Sequence, residues 1–155
     1  MWSGKNGKKT CCFLGHREYP YENYKEDIER IIRLLIESYG VRQFYCGGRG
    51  NFDNLCSDIV GELRKEYPRI KNTLVYSYIP RDAEYHLPEK YTDSVYFLEE
   101  RVIPQFAILK TNEKMVEKSD FIFSGVKYSW GGAAKAQEYA YKKQKTVIAL
   151  FQEEN

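Results

Sequence analysis

Three short turns hold the residues best suited to chemistry: Gly15-His16-Arg17, Gly47-Gly48-Arg49-Gly50-Asn51 and Ser129-Trp130-Gly131-Gly132. Each follows an apolar, strand-like run and precedes a helical pattern. Glycine permits a sharp turn and the close approach of a ligand. A helix that starts there aims unpaired N–H groups and a partial positive charge at whatever lies above it. In a parallel sheet the three turns share one edge, where strand ends form a crevice for anionic ligands. A nucleotide or nucleotide derivative is therefore the expected ligand class.

Particular side chains extend this reading. His16 and Arg17 could contact a phosphate or a base; an exposed turn pair is the alternative. Arg49 adds charge to the second turn, and Asn51 or Asp53 could cap the helix that follows. That turn is not a Walker motif, because no Gly-Lys-Ser/Thr follows it. Trp130 could stack on a ring or serve packing. Glu138 lies six residues past Gly132. There it could act as a general base or accept from a ribose hydroxyl, or it could be an ordinary helix-surface residue. Asn112, on the third long helix, completes the expected ligand-facing set.

The elements that must position these residues follow from periodicity. Strands are expected at 10–14, 41–46, 73–79, 121–126 and 146–150, and apolar stripes at helical spacing fall between them. Asn23 with Glu26 three residues on reads as a capping box that starts the first helix. Gly40 ends that helix, and Pro104 opens the third. Residues 80–95 have no period and read as a loop that could serve as a lid, a rim or a contact. The alternation predicts an α/β fold: a Rossmann-like three-layer α/β/α sandwich on a mostly parallel sheet of about five strands. Residues 1–9 read as a flexible tail, 10–151 as a single nucleotide-binding domain and 152–155 as a second tail.

Composition bounds the partners. With 155 residues the chain can build a proper core. A net charge of +2 argues against nucleic acid as the main partner. The fourteen tyrosines are scattered rather than clustered with Lys or Arg. No stretch approaches the ~20 apolar residues that span a bilayer, and no leader-like apolar run is visible. Cys11, Cys12, Cys46 and Cys56 form no Cys-x-x-Cys pair and read as buried free thiols, so neither a metal site nor a disulfide framework is expected. Together these features predict a cytoplasmic protein with no membrane partner and no bound cofactor.

At Cys11–Arg17, Tyr45–Asp53 and Ser129–Ala134 the chain resembles the SLOG superfamily, which joins Lonely-Guy-type proteins to the DNA-processing Smf proteins. The branch it resembles is the small, single-domain bacterial one related to the YpsA group. The resemblance runs from about Thr10 to Leu150. It implies a nucleotide-derivative pocket over the carboxyl edge of the sheet, and a homodimer. Enzymatic members cleave the N-glycosidic bond of nucleoside monophosphates with a Gly-Gly-x-Gly-Thr-x-x-Glu motif and an arginine on a preceding helix. Gly131, Gly132 and Glu138 match the first two glycines and the glutamate. Ala134 and Lys135 replace the third glycine and the threonine, and Thr111 stands where the arginine should be. Lys110 or Arg17 could supply that charge. The resemblance therefore implies a binding protein or sensor for NAD, ADP-ribose or a nucleoside monophosphate. The alternatives are a phosphoribohydrolase using Glu138 and, by analogy to the Smf branch, a single-stranded-DNA-binding protein.

Overall fold

The structure is a computed structural model that describes residues 8–80, 86–99 and 101–152. Six strands, β1 (Lys9–Gly15), β2 (Val41–Cys46), β3 (Lys71–Tyr76), β4 (Asp93–Tyr96), β5 (Phe121–Gly125) and β6 (Thr146–Ala149), form one sheet in the order β4-β3-β2-β1-β5-β6. Every neighbouring pair is parallel. The helices are α1 (Lys25–Glu37), α2 (Asn51–Leu63), α3 (Pro104–Lys118) and α4 (Gly132–Lys142). The expected Rossmann-like α/β fold is present, with one strand more than the sequence suggested.

Alternation along the strands builds the two cores. Cys11 and Phe13 of β1 pack with Phe44, Phe123 and the apolar stripes of α1 and α2, including Ile32, Leu35, Phe52 and Val60. Cys12 and Leu14 point the other way, to Val75, Ile122, Met115, Val116, Ala136 and Ala140. The small side chains of Ala136 and Ala140 bring α4 close to the sheet. All four cysteines are buried and free.

Several local expectations are corrected. Lys9 belongs to β1, whose entry is fixed where Thr10 donates its N–H to Asp120 Oδ2 (2.9 Å) and its hydroxyl to the Lys118 carbonyl (3.0 Å). No capping box starts α1. A 3₁₀ turn at Tyr21–Tyr24 leads into it, with Tyr24 as a cap residue whose side chain makes no cap bond. The buried Tyr21 dictates this path, because its hydroxyl donates to the Gly125 carbonyl (2.7 Å) and accepts the His16 N–H (2.8 Å).

The 80–95 segment contains the start of β4. Its Pro88–Asp93 part is tied to the body rather than free to act as a lid. The buried Tyr91 donates to Ser57 Oγ (3.2 Å), Asn72 Nδ2 donates to the Lys90 carbonyl (3.0 Å), and Lys90 pairs with Asp58 (2.8 Å). Residues 81–85 of this segment lie outside the described residues.

Candidate functional site

The strand order reverses direction between β1 and β5, the switch point at which open α/β sheets hold ligands beyond their carboxyl ends. A cleft of ≈440 Å³ opens there, within the range of small-molecule sites. Its walls include Gly15 at the end of β1 and His16, Arg17 and Glu18 after it, Arg49, Gly50 and Asp53 before and within α2, Ile108 and Asn112 on α3, and Tyr128, Trp130 and Gly131 leading to Gly132 at the start of α4. Ten of these, Gly15, His16, Arg17, Arg49, Gly50, Asp53, Asn112, Trp130, Gly131 and Gly132, were expected from the sequence. Gly47, Gly48, Asn51 and Ser129 do not line this cleft.

Packing separates the two glycine turns. Gly48 has φ +67°, and a Cβ there would fall 2.6 Å from Leu74; a Cβ on Gly50 would fall 2.6 Å from the Arg17 backbone. The protein's own crowding thus accounts for these glycines. Asn51 and Asp53 give α2 no side-chain cap bond. Asn51 instead donates its N–H to the Arg17 carbonyl (2.8 Å), which ties the first turn to the second. Asp53 Oδ2 accepts the Arg49 N–H at 3.5 Å, so this turn already has a carboxylate of its own beside it.

The α4 start differs. Gly131 has φ +95°, a region where glycine is favoured, and nothing lies within 4 Å of a Cβ built at Gly131 or Gly132. Its first turn carries no acidic residue and no side-chain cap. The first amides of a helix have no intrahelical partner, and the space beside Gly131 and Gly132 is open, the arrangement that accepts an anion. Beside them the Trp130 ring is 68% exposed and stacks on Tyr128 at 4.8 Å and 14°. It offers a flat surface to a ligand rather than filling a core.

His16 holds this loop in place. Its Nε2 accepts the backbone N–H groups of Lys127 (2.8 Å) and Tyr128 (3.0 Å), and its ring lies 4.9 Å from that of Tyr128. An Nε2 that accepts two bonds has no proton, so the imidazole is neutral; partial burial lowers its pKa accordingly. Protons then bind more readily in the unfolded chain. The bond's contribution is whole above the ordinary imidazole value of about 6.5 and is lost as pH falls through the lowered folded value. His16→Ala is expected to cost about 1 kcal/mol at pH 7.5, with the difference shrinking or changing sign at pH 5. Urea unfolding at both pH values checks this, and an equal loss at both would count against the neutral acceptor.

Arg49 donates to Ser77 Oγ (2.6 Å), and burial lowers its pKa against the opposing pull of Asp53. Burial also pushes the Asp53 carboxyl up to about 6, against the Arg49 and Gly48 amides and the Arg49 charge that favour its ionised form. Sequence reasoning passed over Tyr21, Tyr128 and Ile108; the helical spacing of Ile108 and Asn112 on one side of α3 was the available signal for the last.

The residues of the glycosidase motif do not converge here. Glu138 is exposed and lines a separate depression with Lys127, Ser129, Gln137 and Tyr141. Thr111 is buried, its hydroxyl donating to the Ala107 carbonyl one helical turn back (2.8 Å). Lys110 pairs with Glu113 (3.5 Å) and lies outside the cleft walls.

No protein-family model and no curated protein matches the chain. Among solved structures it is similar to DNA processing protein A from Helicobacter pylori, described for its single-stranded DNA binding mode, with 17% identity and a TM-score of 0.66 over 99% of this chain and 71% of that one. It is also similar to the molybdenum cofactor carrier protein from Chlamydomonas reinhardtii, with 12% identity and a TM-score of 0.59 over 92% of this chain and 76% of that one. At such identities the likeness establishes the fold alone, and it agrees with the Rossmann-like α/β architecture expected from the sequence.

Proposed function

We propose that the protein binds a phosphorylated, nucleotide-type small molecule in the β1/β5 cleft and acts as a binding protein or sensor. The observation that carries this reading is the bare α4 N-terminus at Gly131-Gly132, uncrowded and set beside the exposed Trp130 ring. A phosphate would take the free amides and a flat ring would stack on Trp130, with Arg17 supplying further positive charge. The place of the chain within the small YpsA-related branch, a homodimer and a cytoplasmic location belong to the same proposal. Among the described residues no helix is long and apolar enough to cross a membrane.

Binding is favoured over glycosidic cleavage because Glu138 lies outside the cleft and Ala134, Lys135 and Thr111 stand in for motif residues. Single-stranded DNA is the rival ligand, since the stacked Tyr128–Trp130 pair suits an unpaired base as well as a nucleotide. A salt-dependent gel shift would favour it.

The direct test is a thermal-shift screen with AMP, ADP-ribose and NAD, followed by product analysis. A ligand at a hundredfold excess over Kd is expected to raise Tm by about 5–10 °C and to be recovered intact. Gly132→Tyr fills the open space at the α4 start and should abolish the shift with little change in the ligand-free melt. Stabilisation that survives in Gly132→Tyr would place the ligand elsewhere, and release of free base would restore the enzymatic reading.

A further inference from the structure

The cleft is chemically lopsided. Its α4 end offers unpaired amides and no carboxylate. Its α2 end holds Asp53, half-buried beside Gly47 and Arg49. The Arg49 guanidinium is engaged with Ser77. The Arg49 amide reaches Asp53 Oδ2 only at 3.5 Å, long for an N–H···O bond. Gly48 supplies a second backbone amide to the carboxylate; with about four acceptor positions in all, Asp53 keeps positions open to further donors from the cleft. An anionic group placed against Asp53 would be repelled by it. A group rich in hydroxyl donors would supply what the carboxylate lacks.

We propose that Asp53 is the specificity-determining residue of the cleft: it accepts hydrogen bonds from the vicinal hydroxyls of a ligand's sugar, so that the site selects ribosyl phosphates over their deoxy counterparts. The proposal rests on the phosphate-binding reading above and fixes the ligand's direction. The phosphate lies toward Gly131-Gly132 and the diol toward Asp53. Glu138, the acidic residue that spacing alone suggested for the ribose, lines the other depression.

The experiment is titration calorimetry of the full chain with AMP and with 2′,3′-dideoxy-AMP, at pH 7.5 and pH 5.0, for the native protein and Asp53→Asn. A hydrogen bond to a charged acceptor predicts that AMP binds the native protein about 10-fold more tightly than the dideoxy compound at pH 7.5. The preference should fall below about 2-fold in Asp53→Asn and shrink in the native protein at pH 5.0. Both compounds carry the same phosphate, so its own titration cancels in the ratio. The charged and titratable groups around Asp53 are Arg49, Lys90, Tyr21, Tyr91, Cys12, Cys46 and Cys56, with His16, Arg17 and Glu18 in the same cleft. Asp53→Asn retains His16 and every other titratable group of the cleft, so a pH effect on the preference that persists in that variant belongs to those groups and overturns the assignment to Asp53.

Equal binding of the two compounds to the native protein overturns the Asp53 proposal and leaves the phosphate-binding reading standing. Failure of both to bind overturns the two together. Should Asp53→Asn not fold, the pH dependence of the native protein's preference decides: a ratio unchanged between pH 7.5 and 5.0 overturns the proposal.

Discussion

Replacing Gly15 with alanine is expected to destabilise the fold by about 3 kcal/mol, the upper part of the range for overpacked cores. The added Cβ would fall 2.3 Å from both Cβ and Cγ of Phe52, well inside the ≈3.5–4.0 Å at which carbon atoms attract. Phe52 has no room to retreat. It is fully buried, with the Tyr21 ring 4.8 Å away, Phe123 at 5.3 Å and Phe13 at 6.4 Å. Gly125, paired with Gly15 in the neighbouring strand β5, presents a second bare Cα, where a Cβ would meet the ring at 2.5 Å. Phe52→Ala alone should cost about 3–5 kcal/mol. The double variant should be more stable than the sum predicts by at least about 1 kcal/mol, because the alanine methyl then enters the space left by the ring. Chemical denaturation of the four proteins gives the cycle. Strict additivity would mean that Gly15 is held for its backbone or for a ligand rather than for Phe52.

The second large effect runs the opposite way. Asp53→Asn should stabilise the protein at pH 7 by about 2–3 kcal/mol. The carboxyl rises from its ordinary 3.8 to about 6 in the fold, and that gap corresponds to about 3 kcal/mol. Between those values the folded state holds more protons than the unfolded one, so the native protein loses stability as pH increases through the window. Asparagine carries no charge to desolvate, and its advantage should be full above pH 6 and gone below about pH 4. Melting temperatures of both proteins across pH 4–7.5 test this. A variant less stable than the native protein at pH 7 would show that the Arg49 charge outweighs burial. A residue that weakens the fold while facing a cleft is a common mark of function, and it accords with the role proposed for Asp53.

Much of the architecture could be read from the chain because its signals were local and strong. Val41–Cys46 and Pro104–Lys118 begin and end where an apolar run, Gly40 and Pro104 mark them. β4 could not be read this way. Asp93–Tyr96 is four residues long, and Asp93 is held by a bond from Thr73 Oγ1 (2.5 Å), a partner twenty positions away. The α1 entry failed for the same reason, since Tyr21 answers to Gly125 and not to the capping pattern of Asn23 and Glu26.

The site divides similarly. Strand ends and glycines marked turns that the fold gathers at one edge of the sheet, three of which contribute walls to the β1/β5 cleft. The chemical meaning of each glycine depended on what stood opposite it, and Leu74, Phe52 and the Arg17 backbone are distant in sequence. Glu138 matched a motif by spacing, but the face of α4 it occupies is set by Ala136 and Ala140, which turn toward the sheet.

The four buried thiols give this fold an internal clock. Burial raises the pKa of each, to about 12 for Cys12 and Cys46, so none forms appreciable thiolate while the sheet is covered. Cys11 and Cys46 lie in strands beneath α1 and α2, Cys56 is on the buried face of α2 itself, and Cys12 lies under α3 and α4. Alkylation followed by peptide mapping would therefore time the opening of the two helical layers separately. Ligand seated at the α4 start should slow the labelling of Cys12 first.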